Sequence, residues 1–385
     1  MRFARTLPAV LALSLAAAAR ADEAVPKPSP PPEKRPRMEV AFVLDTTGSM
    51  GGLLETAKRK IWAIANDLVR ARPSPELRLG LVAFRDRGDD YVTRVTDLDL
   101  DLDRVYRDLA ACEAGGGGDG PESVNQALRE AVTRLSWTRE DRVLKVIFLV
   151  GDAPPHMDYA DDVPYARTCE EAVRAGIVVN ALRCGGDPTT EKVWTEIAKS
   201  SEGTYASIPQ EGTETVATPF DERIAALGSR MAEGFLAYGE KDARDGARAK
   251  LKSAEGLAGA AAGPSAPAAV AADRAEVVAK AGRLDEADLV ALVAAGTLKV
   301  EDLDERMLPE ELKALSAEER RSRIEAKSKD REVIRKELED LGGKRAAFLA
   351  EAAKKAAAEG GGSSFDLEVS KSLRALAAKK GFRFE

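Results

Sequence analysis

The stretch "VAFVLDTTGSM", residues 40–50, places five apolar residues directly before an aspartate, two threonines, a glycine and a serine. A continuous apolar run of this kind is typical of a strand buried on both faces of a parallel sheet. The residues that follow it, Asp45, Thr47 and Ser49, carry side-chain oxygens at every second position. They are therefore expected at the carboxyl end of a buried strand, where open α/β sheets bind their ligands.

Two enzyme classes that carry an aspartate after an apolar strand do not fit this spacing. Aspartic proteases have Asp-Thr-Gly-Ser, whereas an extra threonine stands before Gly48 here, and no second copy of the motif follows downstream. Haloacid-dehalogenase-like phosphatases need a second aspartate two residues after the first, and Thr47 occupies that position. The oxygens of this stretch therefore need another explanation.

From Met38 to about residue 240, apolar runs alternate with segments of helical period. The runs "LRLGLVAF", "VLKVIFLV" and "GIVVNAL" resemble the run "VAFVL". In the segment between "VAFVL" and "LRLGLVAF", apolar residues recur every three or four positions. This alternation predicts an α/β fold: a doubly wound, mostly parallel sheet of the Rossmann-like kind, followed by a helical C-terminal region. The more polar stretch "YVTRVTDLDL" predicts an edge strand with an antiparallel neighbour.

Two further polar clusters follow predicted strands or open predicted helices. The glycine-rich loop "GGGGDGPES", residues 115–123, contains Asp119, Glu122 and Ser123, and Asp152 follows the run "VIFLV". Carboxylates and hydroxyls without clustered His or Cys are ligands for a hard divalent cation. Mg²⁺ is the first expectation, with Mn²⁺ and Ca²⁺ as alternatives.

In this order, the three clusters resemble a von Willebrand factor type A domain with a metal-ion-dependent adhesion site. The first motif of that family, Asp-x-Ser-x-Ser, is matched by Asp45, Thr47 and Ser49, with threonine at the middle position. Its last motif, an aspartate after the fourth core strand, is matched by Asp152. The middle motif normally offers a threonine from a glycine-containing loop, and this sequence offers Asp119 instead.

The resemblance covers residues 38 to about 210 closely and implies a function. In this family, hydroxyls bind the cation directly and the aspartates act mostly through water, so an open position remains for a carboxylate from a partner protein. The metal ligands implied here are Asp45, Thr47, Ser49, Asp119 and Asp152. If Asp119 binds directly, its added negative charge weakens the demand for a partner carboxylate and makes Ca²⁺ a better competitor.

Simpler readings of the same residues stay open. Thr47 or Ser49 could merely cap a helix. Of Asp119 and Glu122, one is expected only to face the helix macrodipole from the first turn, and Asp119 is the preferred ligand. Glu122 and Ser123 are candidates for additional metal contacts or for hydrogen-bonding support of the ligands.

The N-terminus has the composition of an export signal. Arg2 and Arg5 precede an apolar run, and Ala19-Arg20-Ala21 provides a small-x-small cleavage pattern, so residues 1–21 are predicted to be a signal peptide. Its removal would take three of the 58 basic residues and none of the 65 acidic ones. A chain this acidic is not expected to bind nucleic acid, and a periplasmic or extracellular location is predicted.

Composition divides the rest of the chain. Residues 22–37 are predicted to be a Pro-rich linker, 38–240 the α/β domain, 241–275 an Ala/Gly-rich linker, and 276–385 a helical region able to self-associate as a bundle or coiled coil. In the last region, "SAEE" at residues 316–319 predicts a capping box, and Gly342-Gly343 predicts a helix break.

The chain has three cysteines, Cys112, Cys169 and Cys184. We expect Cys169 early in a helix and Cys184 at the end of the next strand, which would bring them together at one edge of the sheet. They are therefore candidates for a disulfide in an oxidising compartment, with three reduced, buried thiols as the alternative.

These patterns favour an exported module that binds a partner protein through its metal, and not an enzyme. His156 is the only histidine, and no Gly-x-Ser-x-Gly elbow accompanies it, so a hydrolytic triad is not expected. Two alternatives remain: a hydrolase that activates water on the metal, and a structural envelope protein whose metal only stabilises the fold.

Overall fold

The structure is a computed structural model that describes residues 36–118, 120–208, 216–260, 267–282, 284–358 and 364–384. The predicted signal peptide, 1–21, and nearly all of the predicted linker at 22–37 lie outside these ranges. Within them, none of the helices combines the length and the apolar character that a membrane crossing requires.

Six strands form one sheet in the order β3-β2-β1-β4-β5-β6. Their bounds are β1 Arg37–Asp45, β2 Glu76–Phe84, β3 Thr93–Asp99, β4 Leu144–Gly151, β5 Ile177–Cys184 and β6 Tyr205–Ile208. Every neighbouring pair is parallel except β2 and β3, and β3 stands at the edge. The predicted doubly wound, mostly parallel sheet and its antiparallel edge strand are thus confirmed.

Helices cover both faces of this sheet. Their bounds are α1 Leu54–Val69, α2 Leu102–Ala110, α3 Val124–Thr133, α4 Tyr165–Arg174 and α5 Pro188–Ser200. The next helix, α6 Asp221–Glu233, packs in a separate core cluster. In β1, Val40 and Phe42 point to the core under α1 and α2, while Ala41 and Val43 point to the core under α3, α4 and α5. Because successive strand residues alternate between faces, the continuous apolar run of residues 40–44 suits a sheet that is covered on both sides.

The chain continues with further helices. They are α7 Lys241–Ala260, α8 Pro267–Ala281, α9 Leu289–Ala294, α10 Glu310–Lys313, α11 Ala317–Ala358 and α12 Ser364–Lys379. The sequence predicted a linker over residues 241–275, whereas α7 and the first part of α8 form there. Alanine-rich sequence is strongly helix-forming, and Val270 and Val277 place one side of α8 in the core beside α1.

The C-terminal helices pack on the α/β part and on one another. Leu373 and Ala377 of α12, with Phe382 after it, join the same core cluster as α1. The predicted capping box is confirmed: the Ser316 N–H donates to Glu319 at 2.8 Å, and the Glu319 N–H donates to the Ser316 hydroxyl at 3.3 Å.

The predicted break at Gly342-Gly343 is wrong, because α11 runs through it without interruption. A Cβ at position 342 would lie 2.8 Å from a carboxylate oxygen of Glu276 in α8. The glycine therefore allows α8 and α11 to approach closely; it does not end the helix.

A buried group of charges joins these helices. The Arg345 guanidinium of α11 donates to Asp221 at 2.6 Å, to Asp273 at 2.5 Å and to Glu276 at 3.3 Å. Glu276 also pairs with Arg70 just after α1. Because Arg345 is only 3% exposed, its acidic partners depend on it for charge compensation.

The candidate disulfide between Cys169 and Cys184 is wrong. All three cysteines are free and buried. Cys169 lies in the middle of α4 and packs in the cluster on one face of the sheet, whereas Cys184 points into the cluster on the opposite face. The sheet itself separates the two thiols, and burial raises the pKa of all three, that of Cys112 to about 11.

Candidate metal centre at the carboxyl edge of the sheet

Asp45 ends the central strand β1 and is fully buried. One of its oxygens, Oδ1, accepts hydrogen bonds from the Thr47 N–H at 2.9 Å and from the Thr47 hydroxyl at 2.6 Å. The adjacent strand β4 ends in Gly151, where a Cβ would lie 2.7 Å from the Asp45 Cβ. Only glycine at this position leaves room for the aspartate.

Four of the predicted site residues form one continuous chain of oxygens. The Thr47 hydroxyl lies 3.1 Å from the Ser49 hydroxyl, and the Ser49 hydroxyl donates to Asp152 Oδ1 at 2.9 Å. Asp152 directly follows β4, so the chain joins the carboxyl ends of the two central strands. It runs from buried Asp45 to exposed Ser49, and the site is therefore reached from the surface.

The charges of this group are poorly compensated. Asp45 Oδ2 is buried and has no hydrogen-bond partner among the described residues. Burial raises the pKa of Asp45 to about 7 even though Thr47 donates two hydrogen bonds to it, and burial also raises the pKa of Asp152. A buried carboxylate oxygen without a partner is costly, and a bound cation would satisfy it. The residues present therefore fit a hard divalent cation.

The hydroxyls are essential to this fit. Among the residues that the structure describes, no three His, Cys, Asp or Glu side chains are close enough to hold a metal ion by themselves. A cation at this edge would need Thr47 and Ser49 beside the carboxylates of Asp45 and Asp152. This donor set consists only of oxygens, which suits Mg²⁺, Mn²⁺ or Ca²⁺.

Glu122 stands close to the group, just before α3. Its side chain is only 2% exposed, and its Oε2 has no hydrogen-bond partner among the described residues. Burial, followed by repulsion from Asp45 and Asp86, raises the pKa of Glu122 to about 9. A Cβ at Gly117 would lie 2.9 Å from Glu122 Oε1 and 3.1 Å from the Thr47 Cβ, so the glycine loop passes between them.

Of the other two predicted residues of this loop, Asp119 and Ser123, the structure describes only Ser123. Asp119 lies outside the described residues, so its predicted role as a ligand stays a prediction. Ser123 is buried, and its hydroxyl donates to Asp86 Oδ1 at 2.8 Å. Ser123 therefore supports a neighbouring carboxylate and contacts none of the four residues in the oxygen chain by hydrogen bond.

Sequence reasoning missed Asp86, which follows β2 directly after Arg85. It is 4% exposed and accepts hydrogen bonds from Ser123 and from the Tyr159 hydroxyl, both at 2.8 Å. The signal was available, because "VAFRD" places an acid just beyond an apolar strand in the same way as "VAFVLD". Asp86 ties the start of α3 to the loop after β4.

Two neighbours of Asp86 hold the loops that surround the site. Arg85 donates to the carbonyl oxygen of Thr46 at 3.2 Å. The Asp89 carboxylate accepts from the Gly117 N–H at 2.9 Å and from the Asp86 N–H at 3.0 Å. These contacts fix the loop after β1 and the glycine loop to the end of β2.

His156 packs beside the site. Its ring stacks on Tyr159 with centroids 4.1 Å apart, and Nδ1 lies 2.7 Å from an Asp158 oxygen. The His156 N–H donates to the Glu122 carbonyl oxygen at 3.0 Å, which joins the loop after β4 to the start of α3. The other ring nitrogen, Nε2, lies 3.4 Å from an oxygen of Asp86, so the ring packs between two carboxylates.

Comparison with known proteins agrees with this architecture. Residues 39–210 match the family model of the von Willebrand factor A domain. Von Willebrand factor A domain-containing protein 7 is 29% identical over 204 residues in Homo sapiens and 28% identical over 201 residues in Mus musculus. Each alignment covers 50% of this chain, and the chain spans about a fifth of the relatives, 21% of their length.

Solved structures of proximal thread matrix protein 1 from the mussel byssus are also similar. One of them, described as having a zinc-occupied MIDAS motif, has 16% sequence identity and a TM-score of 0.36, covering 45% of this chain and 42% of its own. Another crystal form has 15% identity and a TM-score of 0.35 over the same shares. The sheet topology and the match to the family model together support a von Willebrand factor A domain over residues 39–210.

Proposed function

We propose that this protein is an exported, metal-dependent binding module that docks a partner protein through a divalent cation. The observation that carries the proposal is the oxygen chain from Asp45 through Thr47 and Ser49 to Asp152, together with the buried Oδ2 of Asp45, which has no hydrogen-bond partner among the described residues. When bound, the cation would supply a positive centre that attracts an anionic group. Mg²⁺ is our first candidate, before Mn²⁺ and Ca²⁺.

The partner group we propose is a carboxylate on another protein. Ser49 is exposed, so the surface side of the oxygen chain is open to a partner. Two of the four groups, Thr47 and Ser49, are neutral, so they do not offset the positive charge of the cation. An acidic side chain would complete the coordination, whereas an amide of the same shape would gain much less from the cation.

We further propose that the chain acts by binding and not by catalysis. The packing contacts of His156 support this proposal, because its Nδ1 lies against Asp158 and its ring is stacked on Tyr159. Export rests on the signal-like composition of residues 1–21. Self-association through the C-terminal helices is a secondary proposal, and sedimentation of the purified chain at several concentrations would test it.

Calorimetric titration of the chelated full chain with Mg²⁺, Mn²⁺ and Ca²⁺ tests the metal site. We expect saturable binding that Asp45→Ala abolishes and that Asp158→Asn leaves unchanged, since Asp158 is an exposed acid in the loop after β4. Equal binding by the chain and by Asp45→Ala would overturn the site.

A peptide array tests the partner group. The metal-loaded chain is applied to random peptides that display Asp or Glu, and to matched peptides with Asn or Gln. We expect capture that needs both the acid and the metal, and that chelation reverses. Metal binding without any preference for acidic peptides would refute the docking role and favour a metal that only stabilises the fold.

A further inference from the structure

A cavity of about 220 Å³ lies away from the metal centre, among the chain just after α1, the end of α8 and the middle of α11. Three cationic side chains line it, one from each segment: Arg72, Lys280 and Arg335. Ser74 adds a hydroxyl, and Leu338 adds an apolar wall. The cavity is smaller than the sites of drug-sized ligands, which occupy roughly 300–1,000 Å³.

The acids of the lining are already paired. Glu276 binds Arg345 at 3.3 Å and also pairs with Arg70, and Glu339 binds Arg72 at 2.6 Å. Among the described residues, neither Lys280 nor Arg335 forms an ion pair. The cavity therefore keeps two cations whose charge is open to a ligand.

Lys280 is the less exposed of these two cations. It is half-buried in the last turn of α8, whereas Arg335 is exposed on α11. Burial, with repulsion from Arg70 and Arg72, lowers the pKa of Lys280 to about 8 against the attraction of Glu276 and Glu339. An ammonium that is partly desolvated near other cations would be stabilised by an anion placed within hydrogen-bonding distance.

We propose that this cavity binds a small organic anion with a phosphate or carboxylate group. Lys280 and Arg335 contact the anionic group, Ser74 donates a hydrogen bond to it, and Leu338 packs against the apolar remainder of the ligand. The site is independent of the proposed metal-dependent docking, because its residues belong to other segments of the chain.

Calorimetry on the full chain with inorganic phosphate and with succinate tests the proposal. We expect saturable binding of at least one of these probes, weakened about tenfold or more by Lys280→Met, as for the loss of a charged hydrogen bond. Arg335→Ala is the second variant: it changes an exposed residue, so folding is preserved. Lys336→Met is the control, since Lys336 is exposed and paired with Glu332.

Amine labelling read by mass spectrometry gives an independent measurement. At pH 8 we expect Lys280 to react with an acylating reagent, and the bound anion to protect it while Lys336 stays equally reactive. Protection by phosphate alone identifies a phosphate ligand, and protection by succinate alone identifies a carboxylate ligand. Absence of saturable binding by both probes, or identical binding by Lys280→Met, overturns the proposal.

Discussion

Replacing Asp45 by asparagine should change stability in opposite directions with and without a divalent cation. Asp45 is fully buried, and one of its oxygens has no hydrogen-bond partner among the described residues. At pH 8 and without metal, the folded chain must keep this carboxylate ionised, since its pKa is about 7. The substitution Asp45→Asn removes the charge and keeps an oxygen that can accept from Thr47.

The magnitude follows from the pKa of Asp45, which rises from 3.8 to about 7. At about 1.4 kcal/mol for each pKa unit, the ionised carboxylate costs the metal-free fold on the order of 4 kcal/mol. The new amide nitrogen would be buried without an acceptor, which costs about 1–3 kcal/mol. We therefore expect Asp45→Asn to stabilise the metal-free chain by about 1–3 kcal/mol.

With metal the order reverses. A cation at about 1,000 times its Kd adds about 4.1 kcal/mol to the free energy of unfolding of the unmodified chain and adds little to Asp45→Asn, which exceeds the about 1–3 kcal/mol that the substitution gains without metal. Urea denaturation at pH 8, with a chelator and then with saturating Mg²⁺, measures both differences.

Asp187→Asn is the control for this experiment. Hydrogen bonds from Thr190 lower the pKa of Asp187, so its substitution should destabilise the chain equally in both buffers. Equal destabilisation of the metal-free and the metal-loaded chain by Asp45→Asn would contradict a buried carboxylate that depends on the cation.

Three further outcomes follow from the structure. Without metal, the free energy of unfolding should fall as the pH rises from about 5 to about 8. The reason is that the raised pKa values of Asp45 and Glu122 make the folded chain hold more protons than the unfolded chain. Urea denaturation across this range measures the change, and a rise in stability would contradict the prediction. Arg345→Met should cost about 3–5 kcal/mol in the same assay by leaving buried acids unpaired, whereas loss of the exposed Arg223–Glu337 pair should cost less than about 1 kcal/mol. Phe382→Ala should cost about 3–5 kcal/mol, against a small effect of Phe348→Ala on the surface, and equal effects would refute the packing of the C-terminus.

Much of the sheet could be predicted because each central strand contains a mostly apolar run. Strands covered on both faces show this pattern in the sequence itself, and β1, β2, β4 and β5 all have it. The polar pattern of β3 likewise reveals an edge strand. The four residues of the oxygen chain could be predicted because each lies at the carboxyl end of a strand or in the loop that follows it. Neighbouring parallel strands bring these ends together.

The features that the sequence did not predict depend on contacts between segments that are distant along the chain. Residues 241–275 looked like a linker because alanine supplies little apolar area, yet small side chains allow α8 to pack closely on α1 and α6. Gly342 looked like a helix break, although its role is to admit Glu276 of a neighbouring helix. Cys169 and Cys184 looked adjacent along the sheet edge, but their side chains lie on opposite faces of the sheet, which prevents a disulfide.

The dependence of α1 on the C-terminal helices changes where the functional unit ends. This helix begins just after the loop that follows β1 and carries the candidate metal ligands. Its outer side is covered by α8 and α12: Asn66 donates to Asp273 at 2.9 Å, and Asp67 accepts from Ser370 at 2.7 Å. A fragment that stops at residue 240 would expose these groups together with the apolar contacts of Val270 and Val277. Loss of metal binding by such a fragment would therefore say nothing against the site, because the helix behind the loop would have lost its support. Measurements of metal and partner binding need the chain through residue 384, where the last described segment ends after Phe382 enters the core.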